Sequence, residues 1–160
     1  MTAEAARPRA RATLLTIGRI VLFVGGVLPW LLPLGRATLP LGAVGAAIDL
    51  LFVPMCHRLP ARTLVLWGMP MPLCSRCAGI FAGVAIGAVI ARPRLPLSRW
   101  RWIIAATGAL MVLDVVMQDA GVHPVWHETR VLTGALFGVT IAVMCVTALR
   151  GKTVSALPAD

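Results

Sequence analysis

The sequence predicts an all-α integral membrane bundle of four transmembrane helices, with a short interfacial or re-entrant helix before a cysteine-bearing loop. Three observations carry this. Apolar residues make up 59% of the 160 residues and charged residues only 13%, against about half and about a quarter in soluble domains. The apolar residues fall in blocks long enough to cross a bilayer. The net charge of +9 gathers at the ends of those blocks, where the headgroups of a lipid bilayer are the expected partner. No compact basic domain remains once the blocks are set aside, so nucleic-acid binding is not expected.

In order, residues 1–12 carry Arg7, Arg9, Arg11 and Pro8 and read as a disordered cytoplasmic tail. A single membrane domain follows over residues 13–150. Its first span is expected at 14–34, with Arg19 snorkelling to the interface. A cleaved signal peptide competes for this block, but the block is long for one and Gly35-Arg36-Ala37 is a poor cleavage site. An outer loop is expected over 35–75. It begins with Pro40, Asp49 and Pro54, and a crossing there would place a carboxylate in the bilayer. A short helix in the interface, roughly 44–53, fits better and turns Leu50 and Phe52–Val53 towards apolar surroundings.

The remaining spans are expected at 76–91, 102–118 and 131–149, followed by a cytoplasmic tail over 151–160. The first of these carries Gly79, Gly83 and Gly87, and the last carries Gly134 and Gly138. Small residues four apart let helices approach closely, within one chain or between chains. A homo-oligomer or a place in a larger membrane complex is therefore an open reading. Pro93 and Pro96 separate the second and third spans. Orientation follows from the basic residues. Arg7, Arg9, Arg11, Arg19, Arg92, Arg94, Arg99, Arg101, Arg150 and Lys152 fall at one set of ends and belong in the cytoplasm. Arg36, Arg58, Arg62, Arg76 and Arg130 share the other set with Asp49, Asp119 and Glu128. Both termini are then cytoplasmic, the cysteine loop faces outward, and the membrane is the cell's inner (plasma) membrane.

The stretch Cys56–Gly83 holds three of the four cysteines. Cys74 and Cys77 form C-x-x-C at a helix start, where the helix terminus and Arg76 favour thiolates. With Cys56 and His57 they make a Cys3His donor set for a tetrahedral metal, zinc first and iron as the alternative. The adjacent pair Cys56-His57 is awkward as two ligands of one ion. A redox reading stands beside this one: thiols outside the cytoplasm oxidise readily, and Cys56 could exchange with Cys74–Cys77 in a quinone-coupled thiol oxidase. A static disulfide or plain packing is the third reading. Ala78 follows Cys77 and excludes the c-type haem pattern. Cys145 falls on the opposite side and reads as a small core residue.

Asp114 and Gln118 lie one turn apart, on the helix face of Thr107 and Met111. A carboxylate at that depth calls for a partner, and Arg130 at the start of the last span is the expected one. The pair either serves a site or locks two helices. His123 and His127 are four apart around Pro124, on the same side as the cysteines. They are either a second donor pair or solvated loop residues. A polar pocket of Asp114, Gln118 and Arg130 is expected beneath the cysteines. Whether the chain is an enzyme is not legible; in one, the metal would activate water or polarise a substrate, with Asp114 or His127 moving the proton.

C-H-R-x-P-x-R-T, then P-L-C-S-R-C-A-G-I-F-A-G, then Asp114 with Gln118, then Glu128-x-Arg130-x-x-Thr133-Gly134 with Gly138 resembles a family of small multi-pass membrane proteins in bacteria and archaea, catalogued as a domain of unknown function. The resemblance covers roughly residues 45–140. Arg58, Thr63 and Phe81 stand where the family typically has Gln, Ser and Tyr, and Glu128 lies close to a frequent Asn. The acid in place of an amide alters the charge near the site. The resemblance implies a site made of the cysteine block with Asp114, Gln118, Arg130 and Thr133, and implies no activity.

Overall fold

The computed structural model describes residues 3–57, 59–92 and 95–155, with side chains described between Ala12 and Arg150. Arg58, Pro93 and Arg94 lie outside the described residues, as do the side chains of Arg7, Arg9, Arg11 and Lys152. Among the described residues, five α-helices, a 3-10 turn at Pro60–Arg62 and one hairpin form: α1 (Ala3–Thr38), α2 (Gly42–Leu50), β1 (Thr63–Leu66), β2 (Met69–Cys74), α3 (Ser75–Ile90), α4 (Leu97–Asp119) and α5 (His127–Ser155).

Among the described residues, three helical stretches are long and apolar enough to cross a membrane: Ala12–Thr38, Leu97–Asp119 and His127–Arg150. The helix expected at 76–91 is α3, apolar but only 16 residues long. At 1.5 Å per residue it extends about 24 Å, short of a hydrocarbon core of about 30 Å. The other helices outrun their expected bounds. α1 starts at Ala3, so most of the stretch read as a disordered tail is helical. Pro29 and Pro33 sit fully buried within α1, a placement that membrane helices tolerate because neighbours satisfy the freed backbone groups.

Side-chain contacts set the helix directions. Gly79 of α3 meets Val131 of α5, and Gly83 meets Ala135, so these two helices run parallel. Trp30 donates its indole N–H to the Ala78 carbonyl at 3.1 Å. Arg19 donates to the Ala91 carbonyl, which makes α1 antiparallel to α3 and caps the C-terminal end of α3 with a cation. Thr107 bonds Thr140 at 3.1 Å, and Gln118 meets Arg130, so α4 opposes α5. Directions therefore alternate α1, α3, α4, α5 along the chain.

The expected loop over 35–75 is only partly a loop. α2 occupies the place of the short helix, and its Asp49 is buried in an ion pair with Arg36 near the end of α1. That pairing is how a carboxylate is tolerated in this apolar segment. Phe52 is buried against the protein, and Leu50 and Val53 lie on its outer surface. The unexpected element is the antiparallel hairpin β1–β2, with Leu66 opposite Met69 and Thr63 opposite Cys74. Its two-residue turn is Trp67-Gly68, with φ of 52° and 76°. Two positive φ values match the primed turns whose twist suits a hairpin. Met71 and Leu73 of β2 have no exposed surface. Leu73 joins Leu32, Phe52 and Cys56 in one apolar cluster, with Phe81 of α3 against it. The rings of Phe52 and Phe81 meet edge to face at 6.2 Å.

The α3–α5 seam leaves no room for a side chain. A Cβ on Gly83 would lie 2.1 Å from the Ala135 carbonyl oxygen. Gly83→Ala should therefore destabilise the protein in detergent by about 1–3 kcal/mol, read as a fall in thermal midpoint. Gly25→Ala, with nothing within 4 Å of the added Cβ, should leave the midpoint unchanged or slightly raised.

Candidate functional site

Cys74 is the residue immediately before α3, in extended conformation (φ −68°, ψ 160°), and Cys77 lies in the first turn. The C-x-x-C therefore opens a helix, as its sequence pattern predicts. Cys56 arrives from the other direction, on the turn that follows α2, where its N–H bonds the Phe52 carbonyl at 3.1 Å. The sulfurs of Cys56, Cys74 and Cys77 all lie within 4.8 Å of one another. The Cys74 backbone N–H donates to Cys56 Sγ at 3.2 Å, which fixes one sulfur against the hairpin end. Hydrogen bonding from the Cys77 side chain, helped by backbone N–H groups, outweighs burial and holds the Cys74 thiol far below its ordinary range, at about 4. The cluster thus favours a thiolate at Cys74.

A cavity of about 210 Å³ opens onto these sulfurs, lined also by His57, Arg62, Arg76 and Arg130. Each arginine is held from behind. Arg62 pairs with Asp119 at 3.1 Å, and Arg76 pairs with Asp114 at 2.5 Å. Arg130, with 2% of its surface exposed, donates to Ser75 Oγ at 3.0 Å and to Gln118 Oε1 at 2.5 Å. The end of α4 therefore supplies three acceptors, Asp114, Gln118 and Asp119, that aim three guanidinium groups at the cysteine cavity. Arg76 Nε is buried with no hydrogen-bond partner.

The residues expected to form the site are distributed as follows. Cys56, Cys74 and Cys77 come together. His57 is exposed and lines the same cavity, but stands outside the three-sulfur cluster found among the described residues. Asp114 is buried, but its ion pair is with Arg76, not with Arg130 as expected. The reason is register: parallel packing of α3 on α5 places Arg76 beside α4, while Arg130 reaches Ser75 and Gln118. His123 stacks on Trp126 at 4.9 Å, and its Nε2 lies 3.9 Å from Asp114 Oδ1. His127 is the first residue of α5, so the two histidines do not share a helix face, and Nδ1 of His127 is buried without a partner. Thr133 bonds the Thr129 carbonyl of its own helix at 2.9 Å. The sequence reading gives Arg76 a part in favouring the thiolates but gives none to Ser75 or Arg62. The excess of arginine over acid around the C-x-x-C was the available signal.

The Arg76–Asp114 pair is nearly excluded from water, with 12% and 9% of the two side chains exposed. Removing one partner strands the other charge, which costs about 3–5 kcal/mol. Asp114→Asn should lower the thermal midpoint in detergent sharply. Asp114→Asn with Arg76→Gln should cost less than the sum of the two single changes, because the stranded charge is gone.

Comparison with known proteins covers the same region. An uncharacterized protein of Methanocaldococcus jannaschii is 33% identical over 95 residues, 54% of this chain and 58% of that protein. The chain thus spans little more than half the length of that relative. No solved structure matches. The family described as predicted membrane protein, DUF2085, matches residues 56–144, from the first cysteine of the cluster through Arg130 and most of α5. With more than half of its length matched, including all three clustered cysteines and the arginine wall, the chain belongs to the DUF2085 family of predicted membrane proteins.

Proposed function

We propose that this multi-pass membrane protein holds one metal ion, zinc by its sulfur-rich donor set, on Cys56, Cys74 and Cys77, with His57 as fourth ligand. The observation that carries this is the convergence of three sulfurs within 4.8 Å of one another. They come from two segments separated by 18 residues. Tetrahedral zinc at about 2.3 Å from each sulfur sets the sulfurs roughly 3.8 Å apart, so small movements close the cluster on an ion. Arg130 at the cavity wall suits the negative charge that a divalent ion keeps when three thiolates bind it. His57 decides the kind of site. Bound, it gives a closed, structural centre; unbound, it leaves a position open towards the arginines, as in catalytic zinc sites. A metal bound there supplies Lewis acidity to whatever enters that position. The polar groups beneath, Asp114 and Gln118, hold the arginines in place.

α3 is proposed as the fourth, short span. It packs antiparallel along α1 from Trp30–Ala78 to Arg19–Ala91, and directions alternate around it. With both termini cytoplasmic by the arginine bias, the cysteine end faces outward from the inner membrane. The same proximity of sulfurs supports one other reading, a thiol–disulfide oxidoreductase using Cys74 and Cys77, with electrons passing to a membrane quinone.

Elemental analysis of the detergent-purified protein separates the two. About one equivalent of zinc, lost in Cys74→Ser with Cys77→Ser and weakened in His57→Ala, is the expected result. Absence of zinc or iron, with two thiols resisting alkylation until reduction, would put the oxidoreductase in its place.

A further inference from the structure

At the end of the bundle away from the cysteines, three arginines meet in one recess. A cavity of about 520 Å³ is lined by Arg19, Arg92 and Arg150, with Leu15, Ala91 and Val146 as apolar walls. The cations come from α1, from the residue after Ala91, and from α5.

A second recess adjoins the first. An apolar groove, also of about 520 Å³, runs between α1 and α3 and is lined by Phe23, Val27, Trp30, Ala82, Ile86 and Ile90. On α1, the basic cavity uses Ala12, Leu15, Thr16 and Arg19, and the groove continues with Phe23, Gly26, Val27 and Trp30. Those positions recur at intervals of three and four, one stripe along one helix face. On α3, the groove ends at Ile90 and the cavity begins at Ala91. A cationic recess at a helix-bundle end, with an apolar groove that ends at the preceding residue of α3, matches the charge and the apolar tail of an anionic phospholipid.

We infer that this end of the protein binds one anionic phospholipid, its phosphate among Arg19, Arg92 and Arg150 and an acyl chain in the groove between α1 and α3. Basic pockets between membrane helices select such headgroups by charge. The groove distinguishes a lipid from a free phosphate, which has no use for apolar walls. Phe23, Ile86 and Ile90, which line the groove, are exposed, so the groove is open to bulk lipid. This site is independent of the cysteine cluster.

The test is native mass spectrometry of the delipidated protein in detergent, titrated with phosphatidylglycerol, with phosphatidylcholine of the same chains, and with inorganic phosphate. One retained phosphatidylglycerol is expected, bound about tenfold more weakly by Arg92→Gln with Arg150→Gln. Both residues are exposed, so the fold should survive their replacement. Ala82→Phe, which fills the groove, should weaken phosphatidylglycerol to a similar degree. Arg99→Gln with Arg101→Gln, exposed cations outside the cavity, should leave it unchanged. Equal retention of phosphatidylcholine, displacement by inorganic phosphate, or indifference to either the arginine or the groove variant would overturn the inference.

Discussion

The close contact of α3 with α5 is the constraint on which the rest of the structure depends. α3 is the shortest of the long helices and carries two of the three clustered cysteines at its start. Glycines on both sides of the seam bring backbone against backbone: Gly79 and Gly83 on α3, Gly134 and Gly138 on α5. In an apolar solvent such contacts gain dispersion and weak polar interactions that bulkier residues would forbid. They also set the register. With Gly79 at Val131 and Gly83 at Ala135, the residue pair Ser75 and Arg130 is brought within hydrogen-bonding distance one turn earlier. The position of an arginine beside the cysteine cluster is thus decided by glycines further down the helices.

A second layer of the design is electrostatic. Guanidinium groups buried near the bilayer need compensation, and α4 supplies it through Asp114, Gln118 and Asp119 at its end. The acids face the arginines, and the arginines face the cysteine cavity. No carboxylate lines that cavity among the described residues. The arrangement gives a sulfur-bearing recess with a fixed positive wall, a setting that favours thiolates and any negatively charged complex they form.

The hairpin delivers Cys74 to the recess. Its residues Met71 and Leu73 are fully buried, and the apolar cluster that Leu73 joins connects α1, the turn after α2, and α3. Cys56 is a member of that cluster as well as of the sulfur cluster. Packing and chemistry therefore share a residue, and displacement of the hairpin would separate Cys56 from Cys74, which it touches through a backbone N–H.

Much of this was written in the chain. Apolar blocks, glycine spacing and the C-x-x-C determine a membrane bundle with a cysteine end, because each is a local pattern with its own physical meaning. The helix-terminal place of Cys74 and the approach of Cys56 were legible for the same reason. The hairpin was not. Two prolines in β2 and a Trp-Gly turn lack the alternation and the Asn-Gly signature that mark strands in a sequence. The exposure of His57 and the separation of His123 from His127 depend on where a loop turns, which no spacing rule fixes. Above all, the choice of Arg76 over Arg130 as the partner of Asp114 belongs to the tertiary structure alone. Both cations were within plausible reach along the chain, and only the parallel register of α3 on α5 decides which one α4 meets.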